Sequence, residues 1–219
     1  MKKILFASLI VGVAPFCQAQ GKYLLRIHVS PGQVLKYSTS VNTGTMDIGM
    51  TMAMKCVSAA KKQFTINTTM GSMTMNGQPM PAQAADMMKK MLVVTVMTER
   101  GVVVSNKVTG IPGMNSGGSQ AASVPLPEKP VGVGDSWTGV GEYNGQKMPT
   151  SYKVTGVKKV GGKTALVLSS TVNNPSMKLD RPVVTVLDVS TGLPFSVEMS
   201  GTIVRGTSKQ PMKMVMKRM

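Results

Sequence analysis

From Met46 to Cys56 the chain alternates without a break. Met46, Ile48, Met50, Met52, Met54 and Cys56 take one parity, and Asp47, Gly49, Thr51, Ala53 and Lys55 take the other. Successive side chains on a strand point to opposite faces, whereas a helix repeats every 3.6 residues, so this run is a strand with one apolar face. The same period governs most of the chain. Residues 23–29 and 34–41 alternate around Ser30-Pro31-Gly32-Gln33, which predicts a hairpin. Residues 64–75 form a second long run with Phe64, Ile66, Thr68 and Met70 on one face. Met73 and Met75 fall out of phase with them, so the pattern calls for a bulge or bend at Gly71.

After Asn76-Gly77-Gln78-Pro79 the spacing changes. Ala84, Met87, Met88 and Met91 recur at i, i+3, i+4 and i+7, with Pro81 suited to a first turn, and this predicts the one helix of the chain. Residues 92–97 and 102–108 predict a hairpin around Thr98-Glu99-Arg100-Gly101. A Gly- and Ser-rich stretch at 109–123 reads as a flexible loop dividing the chain into halves of similar length. Further strands are expected at 136–142, 150–160, 164–172, 183–189, 194–204 and 212–216, with short turns at Gly161-Gly162 and Ser190-Thr191-Gly192-Leu193. About ten strands in a meander is too many for a flat open sheet, so the sheet should curl or close.

Composition narrows the compartment and the chemistry. Met1-Lys2-Lys3, the apolar run at 4–13 and Cys17-Gln18-Ala19 have the layout of an export signal cleaved after Ala19. The expected domains are then a signal peptide at 1–19 and a single β-rich domain at 20–219, periplasmic or secreted. Anchoring of a lipoprotein at Cys17 is disfavoured by Pro15-Phe16 before it, and no later apolar run approaches the ~20 residues of a membrane-spanning helix. Loss of Cys17 with the signal would leave Cys56 as the sole thiol, with no intramolecular disulfide to form. The chain carries a formal net charge of +16, but only nine acids, one histidine and few aromatics. Scattered lysines without interleaved aromatics, on an exported chain, argue against nucleic acid and for a solvated basic surface or an anionic envelope partner.

The 21 methionines require an explanation, since twelve of them lie between Met46 and Met97. Methionine fills irregular cores, and it also lines cavities that adapt to apolar guests such as acyl chains. Thioethers and thiolates also favour Cu(I) and Ag(I), for which Met52, Met54 and Cys56 share one strand face. Lookalikes of catalytic motifs have simpler explanations. Ser58-Ala59-Ala60-Lys61 has the S-x-x-K spacing but joins two alternating strands, and Gly162-Lys163-Thr164 lacks the remainder of a P-loop. Asp135, Asp180 and Asp188 lie near strand ends, where carboxylates cap turn amides. No enzymatic activity and no cofactor are expected.

Two segments resemble known proteins. Pro125-Leu126-Pro127-Glu128-Lys129-Pro130-Val131-Gly132-Val133-Gly134-Asp135-Ser136-Trp137 is similar to a segment of uncharacterised exported bacterial β-proteins. Leu187-Asp188-Val189-Ser190-Thr191-Gly192-Leu193-Pro194 resembles the D-x-x-T-G-L-P hairpin of the LolA-like lipoprotein- and glycolipid-carrier superfamily. The resemblance covers the second half of the chain and implies an incomplete barrel, a strongly curved antiparallel sheet whose concave side takes acyl chains under covering helices. This chain departs from that pattern in having one helix.

The expected fold is therefore mainly β, a curved antiparallel sheet with one covering helix. The expected activity is non-catalytic binding of an apolar or amphipathic, lipid-like ligand. The expected lining is Ile48, Met50, Met52, Met54, Phe64, Ile66 and Met70, with Met88 and Met91 closing over it. The alternatives are a Cu(I)- or Ag(I)-binding protein using Met52, Met54 and Cys56, and a structural envelope protein.

Overall fold

A computed structural model describes residues 21–110, 125–143, 146–172, 177–205 and 208–219. The proposed signal and nearly all of the Gly/Ser-rich loop fall outside these residues. In chain order the elements are β1 (Val34–Asn42), β2 (Asp47–Ala60), β3 (Gln63–Met75), β4 (Gln78–Pro79), α1 (Ala82–Lys90), β5 (Leu92–Thr98) and β6 (Val103–Thr109). The second half supplies β7 (Ser136–Tyr143), β8 (Gln146–Val160), β9 (Lys163–Val172), β10 (Met177–Leu179), β11 (Val183–Asp188), β12 (Pro194–Arg205) and β13 (Ser208–Arg218).

All the strands belong to one antiparallel sheet in the order β6-β5-β3-β2-β1-β13-β12-β11-β9-β8-β7, with β4 beside β3 and β10 beside β12. Each half of the chain is a meander, as the alternation predicts. The two are joined where the first strand pairs with the last, Tyr37 opposite Arg218 and Val41 opposite Met214. The two strands flanking the Gly/Ser-rich stretch, β6 and β7, become the free edges of an open, curved sheet.

Turn chemistry sets the registers. Gly161 and Gly162 both have positive φ in the tight β8–β9 turn, and Lys61 and Lys62 adopt the same left-handed pair (φ 50° and 63°) between β2 and β3. Ser58 and Ala60 thus lie within a strand, so Ser58 and Lys61 are not one helical turn apart as S-x-x-K chemistry requires. The phase slip at Gly71 is present as a bulge, with Met52 opposite Met70 but Met50 opposite Met73, so that one residue of β2 faces two of β3. That extra residue returns Met73 and Met75 to the face of Met50 and Ile48.

Residues 23–29 differ from the expected first strand. Apart from a single bridge between Tyr23 and Val131, they join no ladder. Their backbone groups go instead to turns of other elements, with the Ile27 N–H donating to Glu99 O and the His28 N–H to Thr191 O. The alternation has another cause. Leu25, Ile27 and Val29 are buried while Leu24 and His28 are exposed, because the segment runs extended across a face of the sheet. Met46 is a second correction, since β2 begins at Asp47 and Met46 is exposed. Pro79 lies in a two-residue strand where the sequence promised none, and β8 and β13 extend beyond their expected ends.

The core shows which way the sheet bends. Leu25, Ile27 and Val29 pack in one cluster with Cys56, Phe64 and Ile66 from β2 and β3 and with Val154, Leu166, Leu168 and Leu187 from β8, β9 and β11. In the strand order β3 and β8 stand seven spacings apart, which is about 34 Å across a flat sheet. Extended residues 23–29 span roughly 20 Å. One cluster can reach both sides only because the sheet curls toward this face, which is therefore the concave one.

Candidate functional site

The concave face has two ends of different construction. At one end the curl is shut without strand pairing. The β5–β6 turn bonds to the segment before β7, with the Leu126 N–H donating to Arg100 O at 2.8 Å and Arg100 Nε donating to Leu126 O at 3.1 Å. Arg100 Nη1 also meets Glu128 at 2.7 Å, and Arg26 donates to the Pro127 and Glu128 carbonyls. Leu126 beneath them is buried in the core cluster.

The Pro125–Trp137 and Leu187–Pro194 segments both lie at this shut end and bond to the N-terminal segment, through Val131 to Tyr23, Pro127 to Arg26 and Thr191 to His28. In the first, Trp137 stacks on Tyr152 with centroids 5.2 Å apart and donates Nε1–H to Pro125 O, while the Asp135 carboxylate caps the turn by accepting from the Gly132 N–H. That bond and Lys22 hold the Asp135 carboxyl below its usual range. In the second, Gly192 has φ of +66°, and a Cβ there would stand 2.2 Å from Arg26 O, so only glycine lets the N-terminal segment pass.

The Asp188 carboxylate, fully buried, accepts bonds from the Ser190 N–H and hydroxyl and from Arg218 Nη1 at 2.8 Å. Burial alone would raise its pKa, but the Ser190 and Arg218 bonds outweigh it and hold the carboxyl below the ordinary value. Arg218 spends its other donors on Leu193 O and Pro194 O and lies over the Phe195 ring at 4.3 Å. The expected turn-capping role of Asp135 and Asp188 is present. The ion pair of Asp188 is an addition that the sequence spacing of 30 residues concealed.

The other end of the face carries the methionines. In an antiparallel pair directly opposite residues share a face. Tyr37, Thr39 and Val41 of β1 stand opposite Met52, Met50 and Ile48 of β2, and Thr39 and Val41 stand opposite Met216 and Met214 of β13. Met216 and Met214 in turn face Val197 and Met199 of β12, and Met52 and Met50 face Met70 and Met73 of β3. The pairing thus carries one sulfur-rich surface across β3, β2, β1, β13 and β12. It is continuous with the core, since Tyr37, Cys56 and Ile66 share its face and are buried. Yet no methionine on β2, β3, β12 or β13 is buried.

The expected lining residues divide accordingly. Phe64 and Ile66 belong to the packed core, whereas Ile48, Met50, Met52, Met54 and Met70 are half-buried on the same face. Met54 is packed against the margin of the core. On α1, which packs against β3, Met88 is half-buried and no residue is buried, while Met91 just beyond the helix is buried. Met199, Met214 and Met216 were outside the expected lining, because register between β1 and β13 cannot be read from either strand alone.

Cys56 is a free, buried thiol that bonds Ser58 O at 3.4 Å and approaches Val29 O. Burial pushes its pKa up, which works against the thiolate that Cu(I) coordination needs. Among the described residues no three His, Cys, Asp or Glu side chains are grouped to hold a metal ion.

One polar atom on the methionine face is unusual. Thr39 is 8% exposed, and its Oγ1 is buried with no hydrogen-bond partner among the described residues.

No family model matches the chain, and no curated protein matches it. Among solved structures the chain is similar to a MucA/MucB complex of Pseudomonas aeruginosa, at 14% identity and a TM-score of 0.36 over 85% of this chain and 50% of the other. The chain thus spans half the length of that structure. It is also similar to a putative outer membrane lipoprotein-sorting protein domain from Vibrio parahaemolyticus, at 8% identity and a TM-score of 0.35, covering 84% of this chain and 82% of the other. A DUF1329 family protein from Desulfovibrio piger aligns at 10% identity with a TM-score of 0.31, over 85% of this chain and 82% of that one.

Proposed function

We propose that the chain is an exported, non-catalytic binding protein for an apolar or amphipathic, lipid-like ligand held on the methionine-lined part of the concave face. The observation that carries this is the half-burial of every methionine facing inward from β2, β12 and β13, beside a core whose Leu25, Val154 and Leu166 are 0% exposed. Methionines used as core filler would be buried like those three residues. Flexible thioethers on a curved face instead offer a soft wall that adapts to a guest. The n-region, apolar run and Ala19 cleavage pattern support a periplasmic or secreted location. Among the described residues no helix is long and apolar enough to cross a membrane.

The outer face has a different partner chemistry. Lys36, Lys55, Lys153, Lys213 and Lys217 are exposed on the parity opposite Tyr37, Met54, Tyr152 and Met216, and they suit an anionic envelope surface.

Titration of the mature protein with a pyrene-tailed alkane tests the ligand class without presupposing a headgroup. Saturable uptake that Met52→Lys abolishes is expected. A wild-type protein that takes up no probe, and that carries no lipid in native mass spectra, contradicts the proposal.

A further inference from the structure

Resting on the lipid-binding proposal above, we infer that Thr39 is a polar anchor within the apolar site, donating a hydrogen bond to a neutral carbonyl of the ligand, such as the ester of an acyl lipid. A buried hydroxyl left unbonded forfeits its hydrogen bonds to water without replacement, and native proteins rarely tolerate this. Thr39 Oγ1 is the buried side-chain oxygen or nitrogen of the described residues in that condition. Its place is also telling. Thr39 is on the central strand of the methionine face, with Met50 opposite it on one side and Met216 on the other. A chain lying along this face runs past Thr39, and its hydroxyl, buried in the ligand-free protein, meets the chain once the flexible Met50 and Met216 side chains beside it move aside.

The surroundings select the anchored group. Met50 and Met216 offer only weak sulfur acceptors. The nearest cation along the face, Arg218 opposite Tyr37, has its donors taken by Asp188, Leu193 and Pro194. A carboxylate at Thr39 would gain one hydroxyl donor and lose its hydration, which is a losing exchange in an apolar site. A neutral ester or amide carbonyl loses far less and needs one donor. The ligand is therefore an acyl ester or amide rather than a free fatty acid.

The test displaces the pyrene-tailed alkane with dodecane, methyl dodecanoate or dodecanoate, on wild type, Thr39→Val and Thr39→Ser. Methyl dodecanoate should bind about 5-fold tighter to wild type than to Thr39→Val, the size of one net hydrogen bond. Dodecane should bind both alike, Thr39→Ser should keep the ester preference, and dodecanoate should bind wild type more weakly than its ester. The ligand-free Thr39→Val protein should melt at or above the wild-type temperature, because an unbonded hydroxyl is removed, whereas a hydroxyl with a structural bond would lower it. Equal ester affinity in wild type and Thr39→Val, or a preference for dodecanoate, overturns the anchor while leaving the lipid site standing. Failure of wild type to bind the alkane probe at all overturns both.

Discussion

The two ends of the concave face share strands, curvature and apolar composition, yet they are packed differently. At the shut end the N-terminal segment, the Pro125–Trp137 segment and the Asp188 turn fill the curl, and Leu25, Leu126, Val154 and Leu166 are exposed by 1% or less. At the methionine end the same strands β1, β2 and β13 continue, but Met50, Met52, Met214 and Met216 are only half-buried. The difference lies in what crosses the face, since residues 23–29 cross one end only. The tightly packed core is thereby concentrated in one part of the sheet and a partly exposed methionine surface is left in another, the division on which the proposed binding function rests.

That contrast can be broken by mutation. The largest effect is expected at the shut end. Arg218→Ala leaves a buried carboxylate unpaired and should cost about 3–5 kcal/mol in urea denaturation. Leu25→Ala should cost about 2–5 kcal/mol through the cavity it leaves. At the methionine end Met52→Ala should cost about 1–2 kcal/mol, less than Leu25→Ala, because that side chain is only partly buried, while weakening uptake of the alkane probe. A comparable stability loss at both sites would erase the distinction between the ends.

Acid should act on the shut end first. The Asp188 carboxyl has a folded pKa below its unfolded value of about 3.9. Its contribution is therefore fully present above pH 4 and is lost as pH falls through the lowered value. Denaturant midpoints should decline below pH 4, and Asp188→Asn should flatten the decline. The smallest effect is expected at the Lys61-Lys62 turn, where both residues hold positive φ. Replacing them with Asn-Gly, the residues that favour this turn, should raise stability by about 1 kcal/mol without changing ligand uptake.

Much of this was legible in the sequence, for reasons that particular residues illustrate. Local periodicity identified β2, β3, the Gly71 bulge and α1, because side-chain parity and turn residues are properties of short windows. Residues 23–29 show where parity misleads. An extended segment lying on a core alternates as a strand does, and only its hydrogen-bond partners separate the two. The candidate lining was legible within β2, where Met50, Met52 and Met54 share a parity. The contributions of Met214, Met216 and Thr39 depend on the pairing of the first strand with the last, a contact across the whole chain that no local pattern encodes. The Arg218–Asp188 pair was hidden for the same reason.

The central claim is that the methionines of β2 and β13 form an accessible surface rather than a packed core. Brief oxidation with hydrogen peroxide, followed by peptide mass spectrometry, reads this residue by residue, since sulfoxide formation follows exposure. Met50, Met52, Met214 and Met216 should oxidise well ahead of the buried Met91 and Met148, and the alkane probe should protect them. Oxidation as slow as that of Met91 and Met148 in the ligand-free protein would show a solid core and contradict the account.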